Sequence, residues 1–472
     1  MAVTKNGTRA VKNVVVIGAS YSGSRAAEVL SASLPKTHRV ILIDKNSHFN
    51  HVYRFVRFGV VPGHEAKAFI PYTNVFTKAL ADSPTITEHA CPQIDTAEAK
   101  SIFIHANVIS ITKKYVEVDR NLCEVEGITE NCIVDYNAPI GCSAYSRAKA
   151  NGTLDEGFTC TCLNGEDESE EHVQNTKTKT TKVRFDYLVY ATGSIAPRPL
   201  WSNSRTKTEG MRFLQAQQDV ISRASSILVV GGGALGIQYA TDIADLYPKK
   251  KVTLIHSRER FLPQFDEILH DVVLERLRKL EVNVILGDRV ILPEGHVFEG
   301  KELDHRIIAT QKGREIESDL QLYCTGQRPN TKMLCSVMPT AVSKDGLVSV
   351  YRTMQIKAPG HNVPNMFAVG DCIDAFGAIK AGHTGWFQAN TAAHNILKIV
   401  NARENGEQLP DLEEYYPGKP MISVSLGLSE GVKQTLGQDG QPVAQTFKDE
   451  SVDSHWEQMW RSLGVLADDP FV

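Results

Sequence analysis

In VVVIGASYSGSRAA, residues 14–27, an apolar run ends at a glycine and small residues follow. The run predicts a buried strand, and SRAAEVLSASL (24–34) predicts a helix. Gly18 and Gly23 hold the outer positions of the dinucleotide-binding pattern G-x-G-x-x-G, and Ser20 stands in the middle. Asp44 ends the next apolar run, where this pattern places an acid that accepts hydrogen bonds from ribose hydroxyls.

A second strand–turn–helix segment begins at SSILVVGGGALG, residues 225–236. Here Gly231, Gly233 and Gly236 match the whole pattern. In order, these glycines allow a tight turn, close approach of the backbone to a pyrophosphate, and close packing of the helix on the strand. The N-terminus of the following helix offers free N–H groups and a positive dipole end to phosphate. We therefore predict two nucleotide-binding segments in one chain.

The end of the next strand differs between the two segments. Alignment of VILI-Asp44 with VTLI-His256 puts a histidine where the acid is expected, and Arg258 and Arg260 follow it. Loss of the acid and gain of arginine favour a ribose 2′-phosphate, so NADPH is expected in preference to NADH. An arginine that only stacks on adenine or faces solvent is the alternative.

Two more glycine turns end apolar runs further along the chain. Thr192 and Gly193 follow the strand at VRFDYLVY, and Gly370 and Asp371 follow the strand at NMFAV. A carboxylate at a strand end can accept hydrogen bonds from ligand hydroxyls, while N–H groups of the next helix face a phosphate. The order of the four turns is more specific than any one of them.

Composition narrows the class of protein. A chain of 472 residues exceeds one ordinary core and predicts two or three domains. The formal net charge of −4 gives no electrostatic basis for binding nucleic acid. No run approaches the roughly 18 apolar residues of a membrane span, and the first residues lack the apolar core of a secretory signal. We expect a cytoplasmic protein, with mitochondrial import or association with a lipid surface left open.

Residues 122–182 interrupt this organisation. Periodicity disappears, the acidic run EDESEE is followed by the alternating TKTKTTK, and five of the nine cysteines fall here. The pattern predicts an inserted, flexible loop between two strands. Cys160 and Cys162 are closer together in sequence than zinc ligands usually are, so we predict no metal site.

The glycine turns, Asp44 and the later ATG, CTG and VGD sequences, taken in order, resemble the flavoproteins with two dinucleotide-binding domains. The chain is most similar to the apoptosis-inducing-factor-like and ferroptosis-suppressor-like oxidoreductases, which are related to type II NADH dehydrogenases. The resemblance implies an α/β fold with two Rossmann-like domains of the three-layer ββα type, the NAD(P)H domain being inserted into the FAD domain, and a small C-terminal α+β region. The implied boundaries are 12–205 and 329–415 for the FAD domain, 206–328 for the NAD(P)H domain and 416–472 for the C-terminal region.

The resemblance also assigns cofactor residues. It implies FAD at Gly18, Ser20, Gly23, Asp44, Lys45, Arg54, Val108, Thr192, Gly193, Gly370 and Asp371. It implies NADPH, or NADH, at Gly231, Gly233, Gly236 and Arg258.

The implied reaction passes hydride from NAD(P)H to the flavin and electrons on to a small organic acceptor such as a quinone. Lys380 and His383 precede a helix that packs against the flavin in this family, so Lys380 is expected to stabilise a reduced flavin and His383 to relay a proton. A solvated lysine and a capping histidine are the alternative. Disulfide reductases share the architecture, but residues 45–90 contain no cysteine, so a redox-active cysteine pair is not expected.

Departures from the family pattern keep other functions open. Type II NADH dehydrogenases carry A-Q-x-x-x-Q at the quinone pocket, and Thr384 replaces the first glutamine here, ahead of Gln388. A flavin-dependent monooxygenase or oxidase of a biosynthetic pathway is one alternative. An NAD(P)H-sensing redox interaction protein is another.

The tail sequence DSHWEQMWRSL predicts an amphipathic helix. It places Trp456, Met459, Trp460 and Leu463 on one face. Packing on the domain core or on the partner in a homodimer is expected. The acidic polar face is unlike that of membrane-surface helices, and peripheral membrane contact stays an open alternative.

Overall fold

The computed structural model describes residues 11–76, 101–120, 122, 180–292, 302–449, 451–453, 455–466 and 469–470. The predicted insert and its cysteines lie outside the described residues, apart from the two ends of the insert. The chain divides into two compact units. The first comprises Met1–Ser47, Tyr72–Ile195 and Arg328–Pro417, and the second comprises His48–Pro71, Ala196–Gln327 and Gly418–Val472.

Most of the strands are short, and they are numbered in chain order. They are β1 (Lys12–Ile17), β2 (His38–Asp44), β3 (His48–Asn50), β4 (Phe69–Pro71), β5 (Ile102–His105), β6 (Val108–Ile111), β7 (Tyr115–Val118), β8 (Thr181–Arg184), β9 (Tyr187–Tyr190), β10 (Ser194–Ile195), β11 (Ser226–Val230), β12 (Lys251–Ile255), β13 (Asn283–Ile285), β14 (Arg306–Ala309), β15 (Glu315–Ser318), β16 (Leu320–Tyr323), β17 (Arg328–Pro329), β18 (Met366–Ala368), β19 (Ile422–Ser425), β20 (Glu430–Leu436) and β21 (Pro442–Lys448).

The helices are numbered in the same way. They are α1 (Tyr21–Ser33), α2 (Val52–Phe58), α3 (Lys207–Arg223), α4 (Ala234–Leu246), α5 (Glu267–Lys279), α6 (Lys332–Cys335), α7 (Gly382–Asn405) and α8 (Trp456–Ser462). Short 3-10 turns lie at Glu65–Ala68, Arg198–Leu200 and Pro339–Ala341. No helix within the described ranges is both long and apolar enough to cross a membrane.

A parallel sheet in the order β18-β9-β1-β2-β5 forms the centre of the first unit. Val14, Val15 and Val16 in β1 have no exposed surface, since a central parallel strand is covered on both faces. Helix α1 links β1 to β2 and packs against α7. The predicted α/β fold with parallel sheets is confirmed, and α1 begins three residues before its predicted start.

Alternating apolar residues over 101–120 favour a strand meander, but the structure divides this stretch between two sheets. Strand β5 pairs in parallel with β2 and belongs to the central sheet, whereas β6, β7 and β8 form a separate antiparallel sheet. The chain breaks its strand pattern between His105 and Val108. There the Asn107 N–H donates to the carboxylate of Asp119 at 2.8 Å, which fixes the turn from one sheet to the other.

A second parallel sheet in the order β13-β12-β11-β16 forms the centre of the second unit. Helix α4 links β11 to β12, as α1 links β1 to β2 in the first unit. The antiparallel hairpin β14–β15 follows β13 along the chain. Both predicted strand–glycine turn–helix–strand segments are therefore present, one in each unit.

Residues 48–71, which we placed in the FAD domain, group instead with the second unit. Within that unit a buried ion pair joins Arg57 in α2 to Asp242 in α4, with Nε and Oδ2 2.7 Å apart. Phe55 and Phe69 add a small apolar cluster with Leu214 of α3. These contacts join residues far apart in the chain, so the local sequence pattern did not indicate them.

The tail also belongs to the second unit. Strands β19, β20 and β21 form an antiparallel sheet, and helix α8 follows it. Trp456 and Trp460 are buried, and the indole N–H of Trp460 donates to the carbonyl oxygen of Lys67 at 3.0 Å. The apolar face of the tail helix thus packs on its own chain.

Candidate cofactor sites

Two glycines hold helix α1 against strand β1 at the first turn. Gly18 has a φ of +93°, and a Cβ on it would lie 2.3 Å from the carbonyl oxygen of Ala191. A Cβ on Gly23 would lie 1.7 Å from the carbonyl oxygen of Gly18. Both positions therefore require glycine, for the reasons the motif predicts. Ser20 is exposed at the N-cap of α1, and its side chain forms no capping hydrogen bond.

The carboxylate of Asp44 faces this turn from the end of β2. Its Oδ2 accepts the N–H of Ala19 at 2.6 Å, and its Oδ1 accepts the N–H of Asn46 at 2.7 Å. Burial raises the pKa of Asp44, and these two N–H groups act in the opposite direction. An acceptor fixed beside the start of a helix suits a ribose bound next to a diphosphate.

A second helix N-terminus meets the first turn. A Cβ on Gly385, in the first turns of α7, would lie 2.1 Å from Ser22 Oγ of α1, and one on Gly370 would lie 2.8 Å from the same atom. The side chain of Gln388 accepts the N–H of Gly370 at 2.8 Å and fastens that turn to α7. The dipole ends of α1 and α7 are therefore close together, an arrangement that favours a bound anion.

A hydrogen bond joins the turn at Thr192 and Gly193, called the third turn, to the turn at Gly370 and Asp371, called the fourth turn. Ser194 Oγ donates to Asp371 Oδ2 at 3.1 Å. Gly193, with a φ of +64°, and Gly370, with a φ of +86°, take the left-handed conformation that favours glycine. Thr192 Oγ1 donates to the carbonyl oxygen of Asn330 at 2.6 Å, which holds the third turn to the returning chain.

The structure places the remaining FAD residues of the prediction in different surroundings. Lys45 is exposed, and its carbonyl oxygen lies 2.9 Å from His105 Nε2. Val108 is buried at the start of β6. Arg54 lies on α2, which groups with the second unit and not with the other residues of this set. Its role toward FAD stays a prediction.

The residues of the first unit fit FAD. The glycine cradle leaves no room for side chains between β1 and α1, and two helix N-termini offer positive dipole ends to a diphosphate. Asp44 and Asp371 supply acceptors for sugar-type hydroxyls at two strand ends. This donor and acceptor set is what an adenine dinucleotide with a long hydroxylated chain needs.

Lys380 and His383 lie next to the turn that carries Asp371. The ammonium of Lys380 donates to the backbone carbonyl of Ile373, which ties the segment between the fourth turn and α7. Desolvation lowers the pKa of Lys380, while Asp371 acts to raise it. His383 is exposed in the first turn of α7, and partial desolvation lowers the pKa of its ring.

The second unit repeats the glycine turn with better agreement to the motif. Gly231 has a φ of +113°, and a Cβ on Gly236 would lie 1.8 Å from the carbonyl oxygen of Gly231. A Cβ on Gly233 would meet nothing within 4 Å, so open space lies over this position. That space is where a pyrophosphate would approach the backbone at the start of α4.

The side chains beyond β12 differ from one another in their surroundings. His256 Nδ1 accepts the N–H of Gly232 at 3.1 Å, and its ring stacks on Phe261 with 10° between the planes. Arg258 is exposed. Arg260 donates to the carbonyl oxygens of Pro263 and Phe265, so its guanidinium shapes its own loop. Of the two arginines considered from sequence, Arg258 is thus the one open to a ligand.

Several residues of these sites were missed by the sequence patterns. Ser22 and Ser194 hold turns together through contacts that span long stretches of chain, and Gln388, known from sequence only as part of the quinone-pocket pattern, holds the fourth turn. Gly232 was an unremarked glycine between two motif glycines, yet a Cβ on it would lie 2.6 Å from the Phe261 ring. The run of three glycines in GGGALG is the only local signal that could have indicated it.

Three of the nine cysteines lie in the part of the chain that the structure describes. Cys324, Cys335 and Cys372 are each free. Burial raises the pKa of Cys335 and of Cys372 to about 11, so both thiols stay protonated near neutral pH.

Comparison with known proteins places the chain in a family. The family model described as pyridine nucleotide-disulphide oxidoreductase matches residues 148–405. The chain is 37% identical to Fe-regulated protein 8 of Mycosarcoma maydis, over 97% of this chain and 96% of that protein. It is 30% identical to human ferroptosis suppressor protein 1, over 54% of this chain but only 65% of that protein.

Solved structures share the fold at low sequence identity. An engineered water-forming NADPH oxidase bound to NADPH superposes with a TM-score of 0.55 at 17% identity, covering 91% of this chain and 76% of that one. An NAD-dependent persulfide reductase from A. fulgidus gives a TM-score of 0.55 at 16% identity, covering 91% of this chain and 65% of that one. The chain belongs to the pyridine nucleotide-disulphide oxidoreductase family and is an FAD-dependent enzyme that uses NAD(P)H.

Proposed function

We propose that this enzyme passes electrons from NAD(P)H to a small organic acceptor of the quinone type. FAD, when bound, supplies a ring system that takes up hydride and releases electrons to an acceptor. The glycine turns, Asp44 and the two helix N-termini of the first unit bind and orient that cofactor. The remaining question is which side chains of this chain receive the acceptor.

One observation on helix α7 carries the proposal. His383 and Phe387 are four residues apart, so they are neighbours on one face of the helix. Both side chains are exposed, Phe387 by 58%. A flat apolar ring beside an imidazole suits a planar acceptor that carries carbonyl oxygens, because the ring offers stacking and the imidazole can hold or move a proton at one oxygen.

The two residues at the glutamine positions of the quinone-pocket pattern, Thr384 and Gln388, do not face an acceptor on this side of α7. Thr384 is buried, and Gln388 is buried with its amide oxygen bound to the N–H of Gly370. Gln388 therefore serves the fourth turn. An acceptor on this face of α7 would meet His383 and Phe387 instead.

Together with His383 and Phe387, Lys380 would contribute to the reaction, from a position beside the turn that would contact FAD. Its ammonium is held by the Ile373 carbonyl close to the fourth turn, so the position of its positive charge is fixed. A fixed positive charge stabilises negative charge that develops nearby. Because folding has already positioned the charge, no reorganisation is needed during the reaction.

The experiment that tests the proposal compares acceptors in His383→Gln and Phe387→Ala. NADPH oxidation is followed with a short-chain ubiquinone, with menadione, with oxygen and with ferricyanide, which accepts an electron without a proton. We expect kcat/KM for the quinones to fall about tenfold or more in both variants, while the ferricyanide rate changes little. His394→Gln, an exposed histidine further along α7 that pairs with Glu413, is the matched control.

Two results would favour other functions. Rapid oxygen uptake with little response to quinones would favour an oxidase or a monooxygenase. Slow turnover with every acceptor, despite rapid reduction of the bound flavin by NADPH, would favour a redox-sensing interaction protein. Equal quinone rates in the wild type, His383→Gln and Phe387→Ala would show that His383 and Phe387 do not contact the acceptor.

A further inference from the structure

We propose that Arg352 forms an anion-binding site in the first unit and that this site takes a carboxylate group of the electron acceptor. The inference deepens the proposed function, since the acceptor is the one assigned to helix α7. It narrows that acceptor to a planar organic molecule that carries a negative charge. The reasons lie in how two rings and one turn of the backbone hold the guanidinium of Arg352.

Two exposed aromatic rings flank this guanidinium. Its Cζ lies 4.5 Å from the centre of the Phe376 ring and 4.5 Å from the centre of the Tyr416 ring. Within the described chain the two rings make no contact with each other, so they lie on different sides of Arg352. Stacking on aromatic rings covers the faces of a guanidinium, and its N–H donors, which lie in its plane, stay available at its edge.

Most of those donors have no acceptor in the part of the chain that the structure describes. One side-chain nitrogen of Arg352, Nη1, donates to the carbonyl oxygen of Tyr415 at 3.1 Å, and no described carboxylate forms an ion pair with Arg352. A guanidinium has five N–H donors in a rigid fork that can donate two parallel hydrogen bonds to one carboxylate. Since Arg352 is only half-buried, a ligand can reach this edge from solvent.

The acids closest to the stack in sequence have other partners. Glu414 accepts a hydrogen bond from the hydroxyl of the stacked tyrosine, and Glu413 pairs with a histidine and a lysine of α7. The exposed carboxylate of Asp374 interacts electrostatically with the ammonium of Lys380. The positive charge of Arg352 is therefore left for an anion from outside the chain.

The backbone also holds Arg352 in place. The N–H of Met354 donates to the carbonyl oxygen of Tyr351 at 2.8 Å, which closes a tight turn around Arg352, and Met354 has a φ of +66°. The N–H of Tyr415 donates to the carbonyl oxygen of Arg352 at 2.9 Å, in addition to the side-chain bond between the same two residues. A donor that folding has already fixed loses little freedom when a ligand binds.

Phe376 is held in a conformation that a non-glycine residue rarely takes. Its φ is +58°, and its ring is 36% exposed. Such strain persists only where the surroundings determine it, and it clusters at binding sites and active sites. The contact with Arg352 supplies part of that constraint here.

The loop that carries Phe376 also carries a residue of the proposed acceptor site. It runs from the fourth turn to α7, and the hydrogen bond from Lys380 to the carbonyl of Ile373 closes it. Phe376 and Lys380 are four residues apart on this loop, and His383 follows in the first turn of α7. For this reason we assign the anion to the acceptor and not to an unrelated ligand.

The test compares two probes that differ in charge, 2-naphthoate and the neutral 2-naphthalenemethanol. Their binding to the FAD-loaded enzyme is measured by calorimetry. We expect the wild type to bind 2-naphthoate about tenfold more tightly than the alcohol, and Arg352→Met to lose this preference. Arg352→Lys keeps the charge without the planar fork and should keep only part of the preference.

Arg403→Met is the matched control. Arg403 stacks on Tyr187 of the same unit at 5.7 Å and donates to its hydroxyl, so this variant also loses one stacked arginine and one positive charge. It should bind both probes as the wild type does. The preserved far-UV circular dichroism spectrum and menadione reduction of Arg352→Met would show that this variant is folded.

Kinetics test whether the anion belongs to the acceptor. 2-Naphthoate should inhibit menadione reduction competitively, with an inhibition constant about tenfold higher in Arg352→Met, while the KM for neutral menadione changes little. No binding of 2-naphthoate at millimolar concentration, equal affinity of the wild type for both probes, or inhibition that menadione does not relieve would overturn the inference. If His383→Gln and Phe387→Ala reduce quinones normally while 2-naphthoate binding still depends on Arg352, the assigned face of α7 is wrong and the anion site stands.

Discussion

Asp44 Oδ2 accepts the backbone N–H of Ala19 at 2.6 Å, so the acid at the end of β2 is fixed to the first glycine turn before any ligand arrives. Replacement by alanine removes this acceptor and the one offered to ribose. Since a hydrogen bond to a charged group contributes about 1.5–3 kcal/mol, we expect FAD affinity to fall by about tenfold to a hundredfold. Titration of apoprotein with FAD measures this, and an unchanged dissociation constant would contradict the assignment.

The same residue predicts a pH dependence of the apoprotein. Burial raises the pKa of Asp44 in the folded state, so the folded chain binds more protons than the unfolded chain. That contribution to stability is complete below the unfolded pKa and is lost as pH rises through the folded pKa. The Tm of wild-type apoprotein should therefore fall relative to that of Asp44→Asn as pH rises across this range, and a gap that does not depend on pH would be the contrary result.

Gly233 and Gly236 predict opposite consequences of the same substitution. A Cβ on Gly236 would overlap the Gly231 carbonyl at 1.8 Å, so Gly236→Ala should destabilise the second unit or prevent its folding. A Cβ on Gly233 meets nothing within 4 Å, so Gly233→Ala should fold normally and bind NADPH more weakly, since the methyl group occupies the approach of the pyrophosphate. Circular dichroism and nucleotide titration distinguish the two. Normal nucleotide binding by Gly233→Ala would argue against this placement.

The buried pair of Arg57 and Asp242 predicts a large change in stability. Arg57 also donates to the carbonyl oxygen of Gly427 at 2.7 Å, so it joins α2, α4 and the tail sheet. Asp242→Asn leaves the guanidinium without its charge partner and should cost about 3–5 kcal/mol in the free energy of unfolding. Unfolding by urea reports on this through tryptophan fluorescence.

A double variant checks the cause of that loss. Burial raises the pKa of Asp242 even beside Arg57, which shows that the pair carries a desolvation cost. Arg57→Met combined with Asp242→Leu should therefore recover much of the stability lost in Asp242→Asn. A double variant less stable than the single one would mean that the hydrogen bonds of Arg57 outweigh the burial of the charges.

The sequence patterns located the parts of the sites that are local. Gly18, Gly23 and Asp44 fall within 27 residues of one another, and their spacing follows from how a strand, a turn and a helix pack. The two parallel sheets followed from the same reasoning. The division of β5 and β6 between two sheets could not be predicted, because alternation of apolar residues does not show which neighbour a strand pairs with.

Contacts between distant residues could not be read in this way. Arg57 and Asp242 are separated by 185 residues, and both lie in the second unit, which contains residues 48–71. The pattern at His256 showed that an acid is missing. It did not show that the histidine replaces that acid as the partner of Gly232, because the hydrogen bond depends on the shape of the turn.

Binding of FAD and its reduction by NAD(P)H can both be followed in one experiment. It records the absorption spectrum of the purified protein before and after anaerobic addition of NADPH. The account predicts a yellow protein with one FAD per chain and loss of the flavin absorbance on addition of NADPH. A protein that is colourless and stays so after incubation with FAD, or a bound flavin that neither NADPH nor NADH bleaches, would contradict it.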